Sequence, residues 1–243
     1  MSKPTNEARA TAQALIPPLE NGDTLTRAEF ERRYHVMPRV KKAELIEGKV
    51  YMPSPVRRLH HSEPDGSVTG WLYYYRAATL GVRMGINGTV RLDETNEPQP
   101  DADLRIDERY GGQSKVSEDD YLEGAPELVV EIAASSATHD LHEKLKAYQR
   151  NGVREYIVWA TFDRQVHWFN LAAGTEARLP ADEHGVVCSQ VFPGLWLNVP
   201  ALLRDDQAEV LNTLQQGLAS DTHQEFVQRL AATAQANATE KDA

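Results

Sequence analysis

Apolar residues fill both faces of Leu128-Val129-Val130-Glu131-Ile132-Ala133, a pattern that predicts a fully buried strand. A shorter alternating run predicts a second strand from Asp101 to Ile106, just after Pro100. A helix is expected from about His139 to Asn151, stopped by Gly152, followed by a strand over Glu155 to Trp159. Strand, helix and strand of these lengths predict a right-handed parallel crossover. Gln165 to Leu171 predicts a further, antiparallel strand. Upstream, Thr26-Arg27-Ala28-Glu29 reads as a capping box opening a helix to about Tyr34. Ala43 to Ile46 and Lys49 to Met52 flank a Glu47-Gly48 turn and predict a hairpin. Residues 53 to 66 read as a loop, and Val68 to Leu80 as a helix carrying Trp71, Leu72 and Tyr75. Strands at 82–86 and 89–92 are expected to pair through Asn87-Gly88, and residues 107–124 to form a loop. Past Asp205, Leu211, Leu214 and Leu218 form one apolar stripe and Val227, Leu230 and Ala231 another, predicting two helices to about Ala236.

The chain has 243 residues, 41% of them apolar and 26% charged, as in ordinary soluble globular proteins. That length allows one well-cored domain with appendages. The boundaries expected are a flexible arm over 1–22, a main domain over 23–204 and a helical extension over 205–243. One cysteine, Cys188, excludes an intrachain disulfide and a Cys-rich zinc site. No segment reads as a secretory signal or approaches the roughly 18 apolar residues of a membrane helix, so a cytoplasmic protein is expected. The net charge of −10 argues against a general DNA-coating protein, which needs a basic face. It leaves room for a nuclease whose carboxylates hold metal, with local basic runs at Arg32-Arg33, Arg39 to Lys42 and Arg57-Arg58.

Glu131 is the position that strand burial alone does not explain. A carboxylate in an apolar strand needs a partner, either a cation or a salt-bridging Arg or Lys. Asp101 opens the neighbouring strand, and the helix after Glu131 carries two lysines. At about 100° per residue, Leu141, Leu145 and Tyr148 define the buried arc; Lys144 lies about 60° from Leu141 and Lys146 about 140° away, in solvent. Lys144 can therefore reach back over the carboxyl end of the strand, where α/β sheets prefer to place ligands. Pairing to Asp140 one turn back would explain it equally well. Two strand carboxylates and a helix lysine suit divalent-metal phosphodiester chemistry. Asp103 shares a strand face with Asp101 and either adds a ligand or points to solvent. Ser135, Ser136 and Thr138 read as helix caps. His139 and His142, three apart, are expected at the surface, and His60-His61 lies in a loop near the site. No phosphate loop and no hydrolase nucleophile motif is visible.

An ordered set of short motifs, Ala43-Glu44-Leu45-Ile46-Glu47-Gly48-Lys49-Val50-Tyr51-Met52-Pro53-Ser54-Pro55, Val90-Arg91-Leu92-Asp93 with Gln99-Pro100-Asp101, Val129-Val130-Glu131-Ile132 through Asp140, Lys144 and Tyr148, and Gly152-Val153-Arg154-Glu155-Tyr156-Ile157-Val158-Trp159, resembles the Uma-two family. Pro193-Gly194-Leu195 is similar to the family's closing motif, and the likeness runs from about Thr26 to Leu203. This family belongs to the PD-(D/E)xK, or restriction-endonuclease-like, superfamily. The resemblance implies an α/β core with a mixed central sheet flanked by helices, here with a C-terminal helical extension. It implies Mg²⁺ or Mn²⁺ held by Asp101 and Glu131, with a backbone carbonyl such as that of Ile132. Glu44 matches the superfamily's additional acidic residue. The superfamily lysine usually stands two residues after the second carboxylate, where this chain has Ala133; as in the Uma-two family, Lys144 from the next helix matches it instead.

The expected activity is therefore metal-dependent endonucleolytic cleavage of phosphodiester bonds, with DNA as substrate. An RNA or junction nuclease would share the same site. A module on the nuclease fold that binds or assembles without catalysis is the alternative, suggested by the displaced lysine and the acidic charge. A homodimer is expected if the tail's apolar stripes pack on a second subunit rather than on the sheet.

Overall fold

A computed structural model describes residues 16–52, 57–134, 136–172 and 177–241. The elements in chain order are α1 (Arg27–Tyr34), β1 (Glu44–Ile46), β2 (Lys49–Tyr51), α2 (Glu63–Ala78), β3 (Val82–Ile86), β4 (Val90–Arg91), β5 (Ala102–Ile106), β6 (Lys115–Val116), β7 (Leu122–Glu123) and β8 (Leu128–Ala133). A helix we call α3 follows, built from Ala137–His139, a π turn over Asp140–Lys144, and Leu145–Arg150. Then come β9 (Glu155–Ala160), β10 (Gln165–Asn170), β11 (Ala177–Arg178), β12 (Val186–Cys188), β13 (Trp196–Asn198), α4 (Val199–Leu203), α5 (Gln207–Leu218) and α6 (Asp221–Lys241). Six strands form the central sheet in the order β11-β10-β9-β8-β5-β3. Only β8 and β9 run parallel, joined through α3, so the sheet is mixed.

Alternation along β8 divides the protein into two apolar layers. Leu128, Val130 and Ile132 join Trp71, Leu72 and Tyr75 of α2 in the larger core, which also takes Val210 and Leu214 of α5 and Phe226 and Leu230 of α6. Val129 and Ala133 face the other way, onto Leu145 and Tyr148 of α3. Glu131 shares that second face by the two-residue period and therefore looks toward α3. Of the expected apolar stripes, Leu211, Leu214 and Leu218 of α5 and Leu230 of α6 pack on the larger core, while Val227 and Ala231 stay half-buried outside it.

Several expectations change. Pro64 sits in the first turn of α2, where its missing N–H costs nothing, and a π turn over Arg58–Ser62 precedes it; the described part of the expected 53–66 loop is thus largely helical. β3 and β4 do not form a hairpin. β3 pairs with β5 over five positions, and β4 pairs in parallel with β7, because Asn87 at φ 52° turns the chain out of the sheet and gives its N–H to the Asp101 carbonyl at 3.2 Å. The expected 107–124 loop contains β6 and β7. Of the arm expected over 1–22, residues 1–15 lie outside the described residues, while Leu19 is buried beside Phe30 and Leu45. Residues 53–56, Ser135 and the last two residues likewise lie outside it; Ser136 stands at the α3 N-cap without a side-chain cap bond.

Candidate active site

β5 and β8 pair antiparallel with Ala102 opposite Val130, so extending the ladder by one step sets Asp101 opposite Glu131. The ladder stops there, and the Ile132 N–H donates to Asp101 Oδ2 at 2.8 Å instead. Asp101 Oδ1 accepts from Lys42 Nζ at 3.3 Å, and His61 Nε2 lies 3.4 Å from Oδ2. From the helix side, Lys144 Nζ donates to Glu131 Oε1 at 2.9 Å and to Glu44 Oε1 at 3.0 Å, with Asp140 at 3.8 Å. The Tyr148 hydroxyl, one turn on, also donates to Glu131 Oε1 at 2.9 Å. Glu44 is held in turn by the Gln99 N–H at 2.7 Å. Glu44, Asp101, Glu131, Asp140 and Lys144 are each 5% exposed or less, although they come from three separate elements and one strand edge.

A π turn closes hydrogen bonds five residues apart and shifts the helical register; such turns recur at functional sites. Here it covers Asp140–Lys144 and brings both residues inward, whereas a regular α-helix puts Lys144 only at the margin of the buried arc. Lys146 is exposed, as the helical wheel requires.

Four carboxylates surround two ammonium groups, and the electrostatics follow from that imbalance. Burial pushes Glu131 up to about 8; Lys144 opposes this, while Asp101, Glu44 and Asp140 add to it. Burial would lower Lys144, but Glu131, Glu44 and Asp140 outweigh it and raise the ammonium well above its usual range. Both donors meet at Glu131 Oε1, which fits an ionised carboxylate beside a charged lysine; the upward pull on Glu131 expresses a local shortage of positive charge. Burial would also raise Asp101, yet His61, Lys42 and the Ile132 amide hold it at about 2. Hydrogen bonding to Asp101 in turn raises His61.

Among the described residues no three His, Cys, Asp or Glu side chains are grouped as a ready-made metal cage, because Lys144 stands between Glu44 and Glu131. The oxygens within reach, two carboxylates and backbone carbonyls on an under-neutralised cluster, nevertheless have the hard donor chemistry that Mg²⁺ and Mn²⁺ prefer.

Asp103 does not point to solvent. It is 3% exposed, packs against Gly85 and is pushed up to about 6 by burial. His142 is exposed, and His139 contacts Glu143 at 2.8 Å and stacks on Tyr51, so the two form no metal pair. In the sequence Tyr148 falls in the buried helical arc and Lys42 ends a local basic run, with neither marked as part of the site. Signals for both exist: Tyr148 follows Lys144 by four on the helix, and Lys42 precedes Glu44 by two in an extended stretch. Glu155, fully buried, has another task. It accepts from Trp168 Nε1, Ser189 Oγ and the Gln190 N–H, fastening the loop before β13 to the sheet.

A mixed α/β sheet carrying an acidic and lysine cluster at the crossover is the architecture of a restriction-endonuclease-like protein. The pattern of the Uma2 family, described as "Putative restriction endonuclease", matches residues 27–200, and the chain belongs to that family. Its fold is shared by the crystal structure of "a putative nuclease belonging to DUF820" from Anabaena variabilis ATCC 29413, with TM-score 0.54 at 16% identity, over 71% of this chain and 96% of that one. No protein of curated function matches. No helix among the described residues is long and apolar enough to cross a membrane.

Proposed function

We propose that the protein is a divalent-metal-dependent endonuclease that hydrolyses phosphodiester bonds in DNA. The observation that carries this reading is the burial of Glu44, Asp101, Glu131 and Asp140 around Lys144, with too little positive charge to balance them. Asp101, Glu131 and the Ile132 carbonyl would hold Mg²⁺ or Mn²⁺. When bound, the ion neutralises phosphate charge and acidifies water. The chain's own residues do the rest. Tyr148 fixes the Glu131 carboxylate, and the Ile132 amide fixes Asp101. Lys144, clamped between Glu44 and Glu131, offers a charged donor that orients the attacking water and stabilises charge growing on the phosphate. Glu44 keeps that ammonium in place. Lys42 and His61 add positive charge beside Asp101.

Plasmid incubated with the protein and Mg²⁺ or Mn²⁺ should be nicked and linearised, and Asp101→Ala should abolish this; uncut plasmid, or a variant as active as wild type, rejects the reading. A two-fold dimer would suit cleavage of both DNA strands, because its two sites are related by the same symmetry as the strands. Light scattering tests the dimer, and a mass near the 27.2 kDa monomer rejects it. The closed Glu44–Lys144–Glu131 ion pairs favour one second reading, a nuclease fold kept for binding without catalysis. Calorimetric Mn²⁺ binding that is lost in Glu131→Gln separates the two in favour of the enzyme.

A further inference from the structure

The local basic runs of this acidic chain do not share one fate. Arg32 and Arg33 of α1 are spent on Glu29, at 2.7 and 2.6 Å, and Arg33 also reaches Asp23 at 3.3 Å. The other two runs meet at the site. From residues 39–42, Lys42 Nζ approaches Asp101 Oδ1 at 3.3 Å; from the π turn over Arg58–Ser62, His61 Nε2 lies 3.4 Å from Oδ2. Arg39, Lys41 and Arg57 are exposed and enter no ion pair among the described residues. Lys41 donates only to the Pro38 carbonyl, at 3.2 Å, and no acidic residue interrupts positions 35–43. Arg58 does pair with Glu63 at 2.9 Å, but in solvent, where such a contact is worth little.

An aromatic ring adjoins the second run. Phe162, in the turn between β9 and β10, is 46% exposed and belongs to neither core layer of the sheet. The His60 ring packs on it at 4.6 Å, tilted by 54°, and the Arg57 guanidinium lies 5.8 Å from its centre. The sheet fixes this arrangement beside the carboxylates. The Thr161 N–H donates to the carbonyl of Ala133, two residues past Glu131, at 2.9 Å, and the Thr161 hydroxyl donates to the His60 carbonyl at 2.8 Å. A lone exposed apolar side chain needs no explanation. This one is held between a guanidinium and an imidazole, one residue from a group that touches Asp101, and hydrolysis as proposed above gives it no task.

We propose that a nucleic-acid strand crosses Asp101 between residues 39–42 and the Arg57–His61 turn, and that an unpaired base beside the phosphate to be cut stacks on Phe162. Bases inside a duplex are already stacked on both faces, so the ring serves only a single strand or a base turned out of its helix. Stacking of this kind accepts any base. Arg57, over the same ring, offers its charge to the phosphate next to that base, while Arg39 and Lys41 hold the strand beyond Asp101 through backbone charge without reading sequence. The preferred substrate is therefore a strand with unpaired nucleotides rather than an intact duplex. Negative supercoiling eases strand opening, so plasmid still offers such sites. The inference rests on the nuclease reading for the position of the phosphate, but its test does not require cleavage.

The full-length protein is titrated by fluorescence anisotropy, in Ca²⁺, with a labelled single-stranded oligonucleotide and with the same sequence annealed to its complement. The single strand should bind roughly tenfold tighter, and Phe162→Ala should remove about that factor while leaving duplex binding unchanged. Phe162→Trp should keep the preference. Arg39→Ala and Lys41→Ala should each weaken binding of the strand and flatten its log–log salt dependence by about 0.7. Equal affinity for strand and duplex, no binding of either, or a preference that survives Phe162→Ala overturns the proposal. So does an equal loss on both substrates in that variant, or a salt dependence that neither basic substitution changes. If Phe162→Ala does not fold, Phe162→Leu, which keeps bulk without a stacking ring, replaces it. A protein that cuts DNA but binds duplex as well as single strands keeps the nuclease reading and rejects this one; strand binding through Phe162 without cleavage in Mg²⁺ or Mn²⁺ does the reverse.

Discussion

Lys144 Nζ stands 2.9 Å from Glu131 Oε1, across the junction between a buried strand and its crossover helix. The contact joins the two residues that the sheet and the helix each leave incomplete. Glu131 has no cation on its own strand, and Lys144 has no acceptor on the adjacent turn except Asp140 at 3.8 Å.

Removing that ammonium should be costly. Lys144→Ala leaves Glu44, Glu131 and Asp140 buried together without their counter-ion, and breaking a buried pair this way costs about 3–5 kcal/mol. Urea denaturation should show a markedly lower midpoint, and millimolar Mn²⁺ should recover part of it by supplying charge to the same carboxylates. An unchanged midpoint would mean that the cluster is largely neutral.

Tyr148→Phe removes a single hydroxyl while keeping the ring packed against Tyr156. Groups that orient a metal-binding carboxylate usually matter about 10–100-fold for affinity or activity. Calorimetric Mn²⁺ affinity should fall by that order with little change in melting temperature. A large loss of stability with intact metal affinity would make Tyr148 a core residue only.

The pH dependence of stability should carry the signature of Glu97. Its unfolded carboxyl group loses its proton near 4.5, whereas the folded one holds it to about 9 through burial and Glu31. Between those values the unfolded state binds fewer protons, so this contribution is full below about 4.5 and is lost as pH rises toward 9. Glu97→Gln cannot titrate. Its denaturation midpoint relative to wild type should rise steadily over that interval, and a constant difference would contradict the assignment.

Truncation after Leu203 removes Val210, Leu214, Phe226 and Leu230, all 4% exposed or less. Each buried side chain of this kind is worth about 1.5–3 kcal/mol, so four together rival a typical total stability of about 5–15 kcal/mol. The shortened chain should lose its near-UV circular dichroism and aggregate. A soluble product that unfolds cooperatively would show that the helices are dispensable.

How much of this was legible in the sequence depended on whether the signal was local. Thr26 caps α1 as the capping box requires, and the apolar run of β8 with the helix and strand after it give the parallel crossover directly. Lys144 was separable from Lys146 by helical angle alone. The pairing of β3 was not legible, because Asn87-Gly88 is a sound local turn signal and only the distant β5 overrides it. Lys42 escaped for the same reason, and His61 was legible only as one of a loop pair near the site: each joins Asp101 across a chain separation that no periodicity reports. The π turn left no mark in a 3.6-residue pattern.

That turn makes the candidate chemistry depend on counting. One residue more than a regular helix would hold stands between Ser136 and Tyr148, and its presence brings Lys144 inward together with Leu145. Deleting a single exposed residue such as His142 would let the helix relax to regular winding and swing whatever precedes it by about 100°. The strands, the core and the carboxylates outside the helix, Glu44, Asp101 and Glu131, would stay where they are, while Asp140, two residues before the deletion, would turn with the swung segment. The charge cluster could thus be disassembled, in a relative or by design, through a change of helical phase that substitutes none of its acidic residues.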